Sequence, residues 1–370
     1  MTEQLKKVLL RSLLDRCLEL HASDVHLSTG LTPIFRIHGS LKPDGHHCLN
    51  ASEIASIVSL LLSETKQNEL RKNGHVDLGY SLPNKERFRI NIYLELTKTA
   101  IAIRHLDNCF KSMQQLHLPP QLESITDFKH GLVLVCGSTG SGKSTTLASM
   151  LHAINKTRKC HILTIEDPVE FIHENINSMI HQRELGTDVS SFSSSLRASL
   201  RQDPDVIMVG EMRDLETMKA ALTAAETGHL VFSTLHTGDA VGVVERLIGS
   251  FPGDEQVVAR TRIASALKAV IAQRLIPVED GNGRVPAIEI LIVTNGVSNL
   301  IASGKTSQIY SSMESGKAEG MQTLEQSLYS MVKDHWISRK MALTYSKNTS
   351  ALEKLLNSNN RLGVGRKHGY

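Results

Sequence analysis

No two of the five cysteines, Cys17, Cys48, Cys109, Cys136 and Cys160, stand at Cys-x-x-Cys spacing, and their number is odd. That argues against a disulfide framework and against a structural zinc cluster, and it fits a reducing cytoplasm. Long apolar runs are also missing: nothing approaches the ~20 consecutive apolar residues that span a bilayer. The opening stretch MTEQLKKVLLRSLLDRCLEL is broken by Lys6, Lys7, Arg11, Asp15 and Arg16, which excludes a signal peptide. Charge of one sign is absent as well. Lys and Arg total 41 against 38 Asp and Glu, a net charge of +3, with no basic or acidic tail, so nucleic acid is not an expected partner. No internal repeat or low-complexity tract is visible.

What is present is a chain of 370 residues, 41% of them hydrophobic, enough for packed cores and two or three domains. The first stretch reads as an amphipathic helix with Leu5, Leu9, Leu13 and Cys17 at four-residue steps on its buried face. DVHLSTG (24–30) and PIFRIHG (33–39) read as strands. In RFRINIYLEL (87–96), Phe88, Ile90, Ile92 and Leu94 alternate with polar positions, giving one buried and one polar face. TAIAIRHL (99–106) repeats that pattern. Residues 1–112 are therefore expected to form a small α+β domain. The Pro119-Pro120 break suggests a linker at 113–121. Residues 122–350 are expected to form an α/β domain and 351–370 a polar, mobile tail.

From residue 131 the texture changes. GLVLVCG, HILTIED, DVIMVGE and HLVFSTLH are short, unbroken apolar runs separated by helical stretches. Strands of a parallel sheet, covered on both faces, have this character. In MRDLETMKAALTAAETG, Leu215, Met218, Leu222 and Ala225 share one helix face and Gly228 is a fitting stop.

Gly137-Ser138-Thr139-Gly140-Ser141-Gly142-Lys143-Ser144 matches the phosphate-binding pattern G-x-x-x-x-G-K-[ST] in full, between a strand and a helix that continues through Thr145. Such a loop wraps backbone N–H groups around phosphate oxygens at a helix N-terminus. Lys143 is placed to reach the β- and γ-phosphates and Ser144 to ligate Mg²⁺. Glu211 follows the run DVIMVG, at the strand edge where α/β sheets bind ligands. It reads either as a Walker-B-like acid acting on Mg²⁺ or water, or as a solvated loop glutamate. IEDPVEF carries Glu166, Asp167 and Glu170 at another strand end. A surface acidic loop and a catalytic one are both open there. His229 and His236 bracket HLVFSTL. On one strand, residues seven apart lie ~23 Å from each other, too far to share a metal ion.

Together these stretches resemble the type IV pilus retraction ATPase (PilT) family of the type II/IV secretion ATPase superfamily. The matching segments are ASDVHLSTGLTPIFRIHG (22–39), GLVLVCGSTGSGKSTTLASML (131–151), ILTIEDPVEF (162–171), LRASLRQDPDVIMVGEMRDLET (196–217), LTAAETGHLVFSTLHT (222–237) and GMQTLEQSL (320–328). The resemblance implies a PAS-like N-terminal domain and a RecA-like P-loop ATPase domain. It implies a homohexameric motor that hydrolyses ATP with Mg²⁺ to retract a type IV pilus. Its implied site is cytoplasmic, on the inner membrane at the pilus base, against a membrane platform protein and a paralogous pilus ATPase. Glu170 takes the water-activating role, Glu211 the Walker B role on magnesium, and His229 and His236 the two His-box positions. Arg89 and Arg104 fall where N-domain arginines act on the nucleotide phosphates. Two places depart from the family pattern: GVSNLI (296–301) has Ser298 where the family has arginine, and LTKTA (96–100) stands where the family has NRGAG. The competing readings are a pilus assembly or secretion ATPase, and a nucleotide-binding accessory subunit of a retraction motor.

Overall fold

The computed structural model describes residues 3–83, 86–106, 110–279, 281 and 283–358. It divides the chain into two compact units, Met1–Cys109 with Pro168–Ile172, and Phe110–Asp167 with His173–Tyr370.

The first unit runs α1 (Glu3–Glu19), β1 (Asp24–Ser28), β2 (Ile34–Ile37), β3 (Ser40–Pro43), α2 (Ala51–Leu61), α3 (Glu64–Asn73), β4 (His75–Ser81), β5 (Arg87–Glu95) and β6 (Lys98–Leu106). Its six strands form one antiparallel sheet in the order β3-β2-β1-β6-β5-β4. The period-two pattern of β5 buries Phe88, Ile90 and Ile92, which pack with α1 and α2 residues. Leu94 departs from the expectation: it is exposed, because the strand is by then running out into its hairpin. The buried stripe of α1 also differs. Leu10, Leu13, Leu14 and Cys17 are buried, whereas Leu5 is 58% exposed. A row of four-residue steps drifts about 40° per step around a helix of 3.6 residues per turn, so spacings of three and four must mix to stay on one face.

The second unit runs α4 (Gln121–Thr126), β7 (Gly131–Cys136), α5 (Lys143–Thr157), β8 (His161–Glu166), β9 (Met179–Glu184), α6 (Phe192–Ser199), β10 (Val206–Val209), α7 (Leu215–Glu226) and β11 (Leu230–Leu235). It continues through α8 (Ala240–Gly249), α9 (Gln256–Ala266), β12 (Leu267–Pro277), β13 (Arg284–Ile292), α10 (Asn295–Ala302), α11 (Ile309–Ser315), α12 (Leu324–Lys333), α13 (Arg339–Tyr345) and α14 (Thr349–Ser358). The sheet order is β13-β12-β7-β11-β10-β8-β9, parallel throughout except for the antiparallel edge strand β13. The expected α/β fold with a parallel sheet is present.

The unbroken apolar runs follow from two-sided burial. Leu132, Leu134 and Cys136 of β7 enter a core shared with α7, α8 and α9. Val133 and Val135 enter the opposite core, shared with α4 and α5. The stretch expected to be a linker, 113–121, contributes Met113 and Leu118 to this second core. The anticipated tail is corrected in its first half. Residues 351–358 belong to α14, where Leu352 is fully buried against α12 and α13 residues. The polar residues of ALEKLLNS disguised an apolar stripe at helical spacing. Residues 359–370 lie outside the described part.

Candidate nucleotide site

Three parallel strands of the second unit end side by side, and their following loops carry the site. The loop after β7 is Gly137–Gly142, the loop after β11 starts at His236, and Glu211 follows β10. In the order β7-β11-β10, the outer two are separated by two strand spacings, about 10 Å.

The phosphate loop is shaped by glycine where no side chain fits. Gly137 has φ +149°, and an added Cβ would lie 2.4 Å from the Gln273 carbonyl oxygen and 2.5 Å from Ser141 Oγ. A Cβ on Gly142, at φ +89°, would lie 2.8 Å from Gln273 Nε2. Beneath the loop, Thr146 Oγ1 donates to Gln273 Oε1 at 2.7 Å. Gln273, only 3% exposed, thus seats the loop from β12. It was missed in the sequence, although a glutamine inside the apolar run AVIAQRLI was a signal for it.

Helix α5 starts at Lys143 with no side chain capping it. By contrast, α2, α6, α7, α8 and α12 each begin with a side chain accepting from the first turn. The open first-turn donors of α5 and its positive dipole end suit an anion. Ser138, Thr139, Gly140 and Ser144 are exposed there, and Thr145 is half-buried. The buried Ser141 hydroxyl has no hydrogen-bond partner among the described residues. Lys143 Nζ donates to the carbonyls of Gly137 and Ser138, both at 3.0 Å. These features fit a nucleotide phosphate chain.

Glu211 is largely shielded, its side chain 15% exposed, and Arg213 Nη2 lies 2.5 Å from its Oε1. His236 Nε2 lies 3.6 Å from Oε2 of the same carboxylate. Thr234 Oγ1 donates to the Gly210 carbonyl, and Met212 N–H to that of Thr234, so β11 holds the turn that presents Glu211. Arg213 was not singled out in the sequence. A carboxylate at this edge and the Ser144 hydroxyl are the oxygen donors Mg²⁺ prefers alongside phosphate and water. Among the described residues no group of three or more His, Cys, Asp or Glu could hold a metal ion.

His229 sits at the other end of β11. Its Nδ1–H donates to the Ala224 carbonyl at 2.9 Å, tying the strand start to the end of α7. The two histidines therefore occupy opposite edges of the sheet.

The remaining expected residues belong to the first unit. Arg89 and Arg104 face each other directly across β5 and β6. Arg104 Nε donates to Asp24 Oδ1 at 2.8 Å and Arg89 Nε to Asp77 Oδ1 at 3.3 Å. Burial works to raise the Asp24 pKa, but the bonds from Arg104 and Ser23 outweigh it and hold the carboxyl below its ordinary value. Glu170 lies in the segment Pro168–Ile172, where Arg87 Nε donates to the Val169 carbonyl at 3.0 Å. Of the acidic loop, Glu166 and Asp167 stay with the second unit, and Glu166 Oε1 accepts from Thr164 and Gln182.

The family model described as "Type II/IV secretion system protein" matches residues 2–354. A "Twitching motility protein" of Neisseria gonorrhoeae is 43% identical over 321 residues, 87% of this chain and 86% of that protein. A "Type IV pilus retractation ATPase PilT" of Pseudomonas aeruginosa is 41% identical over 321 residues, 87% of this chain and 93% of the other. Among solved structures, the "Pilus Retraction Motor PilT and Bound ADP" superposes with a TM-score of 0.85 at 41% identity, covering 92% of this chain and 98% of that one.

Proposed function

The chain belongs to the type II/IV secretion system protein family, and from that membership we propose that it is a Mg²⁺-dependent ATPase powering type IV pilus retraction. The observation that carries the reading is the convergence of an uncapped helix start, Lys143, Glu211 and His236 on one edge of a parallel sheet. The relatives named for twitching motility and pilus retraction supply the physiological setting.

In this reading the loop amides of 138–142 and the first turn of α5 bind the β- and γ-phosphates. Lys143 turns from the Gly137 and Ser138 carbonyls to phosphate oxygens, a gain because the acceptors then carry full negative charge. Ser144 and Glu211 would hold Mg²⁺, which would supply charge neutralisation on the phosphoryl oxygens. Glu170 accepts the proton of the attacking water, and Arg89 and Arg104 stabilise charge on the transferred group. His236, already against Glu211, senses the phosphate, and His229 works at a mechanical contact of the opposite edge. Six copies form the working ring on the inner membrane, against a platform protein and a paralogous ATPase. A sedimentation mass other than six times the 40.7 kDa chain would remove the ring from the reading.

The accessory reading is favoured by one observation. Ser298, in the arginine position of the family segment, turns its hydroxyl inward to the Ala264 carbonyl at 2.8 Å, so α10 offers no cation there. Turnover by the purified protein separates the two readings. Wild type should hydrolyse ATP, and Lys143→Ala and Glu211→Ala should each lose about 100-fold or more with melting temperature unchanged. Retained turnover in either variant overturns the site.

A further inference from the structure

The loop that follows His236 is held by more groups than its length requires. Asp239 caps α8, its Oδ1 accepting from Gly242 N–H at 2.6 Å, while its Oδ2 receives the Lys347 ammonium. Lys347 Nζ also donates to the Gly238 carbonyl at 3.1 Å. The same carbonyl accepts from Arg274 Nη2 at 3.2 Å, and Arg274 Nη1 reaches the Tyr345 carbonyl at 3.3 Å. Two cations thus converge on one carbonyl two residues from His236, the neighbour of Glu211: a peptide oxygen between His236 and α8.

Lys347 is itself placed from beneath. Glu325 of α12 is 1% exposed, and its Oε1 accepts from Ser346 Oγ and from the N–H groups of Lys347 and Asn348, at 3.1, 3.1 and 3.0 Å. Its Oε2 accepts from Tyr310 Oη at 2.6 Å. A buried carboxylate is costly and gives little net stability even when satisfied. Here three of its four donors belong to the turn between α13 and α14 and fix it, and that turn aims Lys347 at 238–239. A surface ion pair alone would be worth little for stability. The geometry specifies position instead.

We propose that Lys347 is a positioning residue for ATP hydrolysis, transmitting the placement of α12–α14 through Gly238 and Asp239 to His236 opposite Glu211. The proposal rests on the assignment of His236 to the phosphate side of the site. It gives the C-terminal helices a direct handle on the catalytic edge, within one unit of the chain.

Steady-state ATP hydrolysis and ADP binding by the full-length protein test it. Lys347→Met should lower kcat about tenfold, as small misplacements of a catalytic group do, with KM and the ADP Kd within about twofold. Lys347→Arg, which keeps the charge and the reach, should recover at least about half of kcat. Asp239→Asn, which retains the cap on α8, should resemble Lys347→Met. In a His236→Ala background, Lys347→Met should add no further loss. A kcat for Lys347→Met within about twofold of wild type, or a full further loss in the His236→Ala background, overturns the proposal. Should Lys143→Ala and His236→Ala be impaired while Lys347→Met is not, the site assignment stands and only this inference falls. Wild-type turnover in His236→Ala removes the premise itself.

Discussion

Glu289 shows how one residue can carry a pH dependence. Burial on β13 pushes its carboxyl up from 4.5 to about 7, although the bond from Ala240 N–H at 2.7 Å and the Lys347 charge pull it down, while Asp239 and Glu325 push it further up. A proton held more tightly in the folded than the unfolded state gives a stabilisation fully present below the unfolded value of 4.5 and lost as pH rises through about 7. Glu289→Gln keeps an acceptor for Ala240 and removes the titration. Its melting temperature, followed through the single tryptophan Trp336, should gain on wild type by several degrees between pH 5 and pH 8. Parallel melting profiles across that range would refute the assignment. The sequence does not show what residues of this kind touch. Glu289, Gln273 and Lys347 act through partners 49, 127 and 109 positions away. Gly137–Ser144 was legible because a phosphate loop is built almost wholly from its own neighbours.

At the scale of elements, helix starts are where local sequence speaks most directly. Asn50 and Glu53 form a reciprocal cap on α2, Glu53 N–H donating to Asn50 Oδ1 at 3.0 Å and Asn50 N–H to Glu53 Oε2 at 2.8 Å. Asn50→Ala should cost about 1 kcal/mol and speed amide exchange across α2 about fivefold. Unchanged protection would show that packing of Ile54 and Ile57 alone holds the helix. The strands β7, β8, β10 and β11 were readable because burial on both faces makes them mostly apolar runs with few polar breaks. The faces of α1 and the end of β5 were not. There, Leu5 and Leu94 are apolar yet exposed, and only the tertiary fold decides which apolar residue finds a partner. The same holds for α14, where composition suggested solvent and Leu352 found a core.

For the whole molecule, the family and the α/β architecture were both accessible from ordered motifs that span most of the chain. Whether the proposed function is retraction or assembly is decided in cells. Deleting the gene in the source organism should leave excess, unretracted pili; cells without pili would turn the reading towards assembly. The segment Pro168–Ile172 adds a constraint of its own, since it belongs to the first unit while the chain on either side belongs to the second. The polypeptide is stitched across three times, after residues 109, 167 and 172. Two of those three passages flank the five residues that carry the carboxylate proposed to activate water, so no cut of the chain at a single point separates the two units.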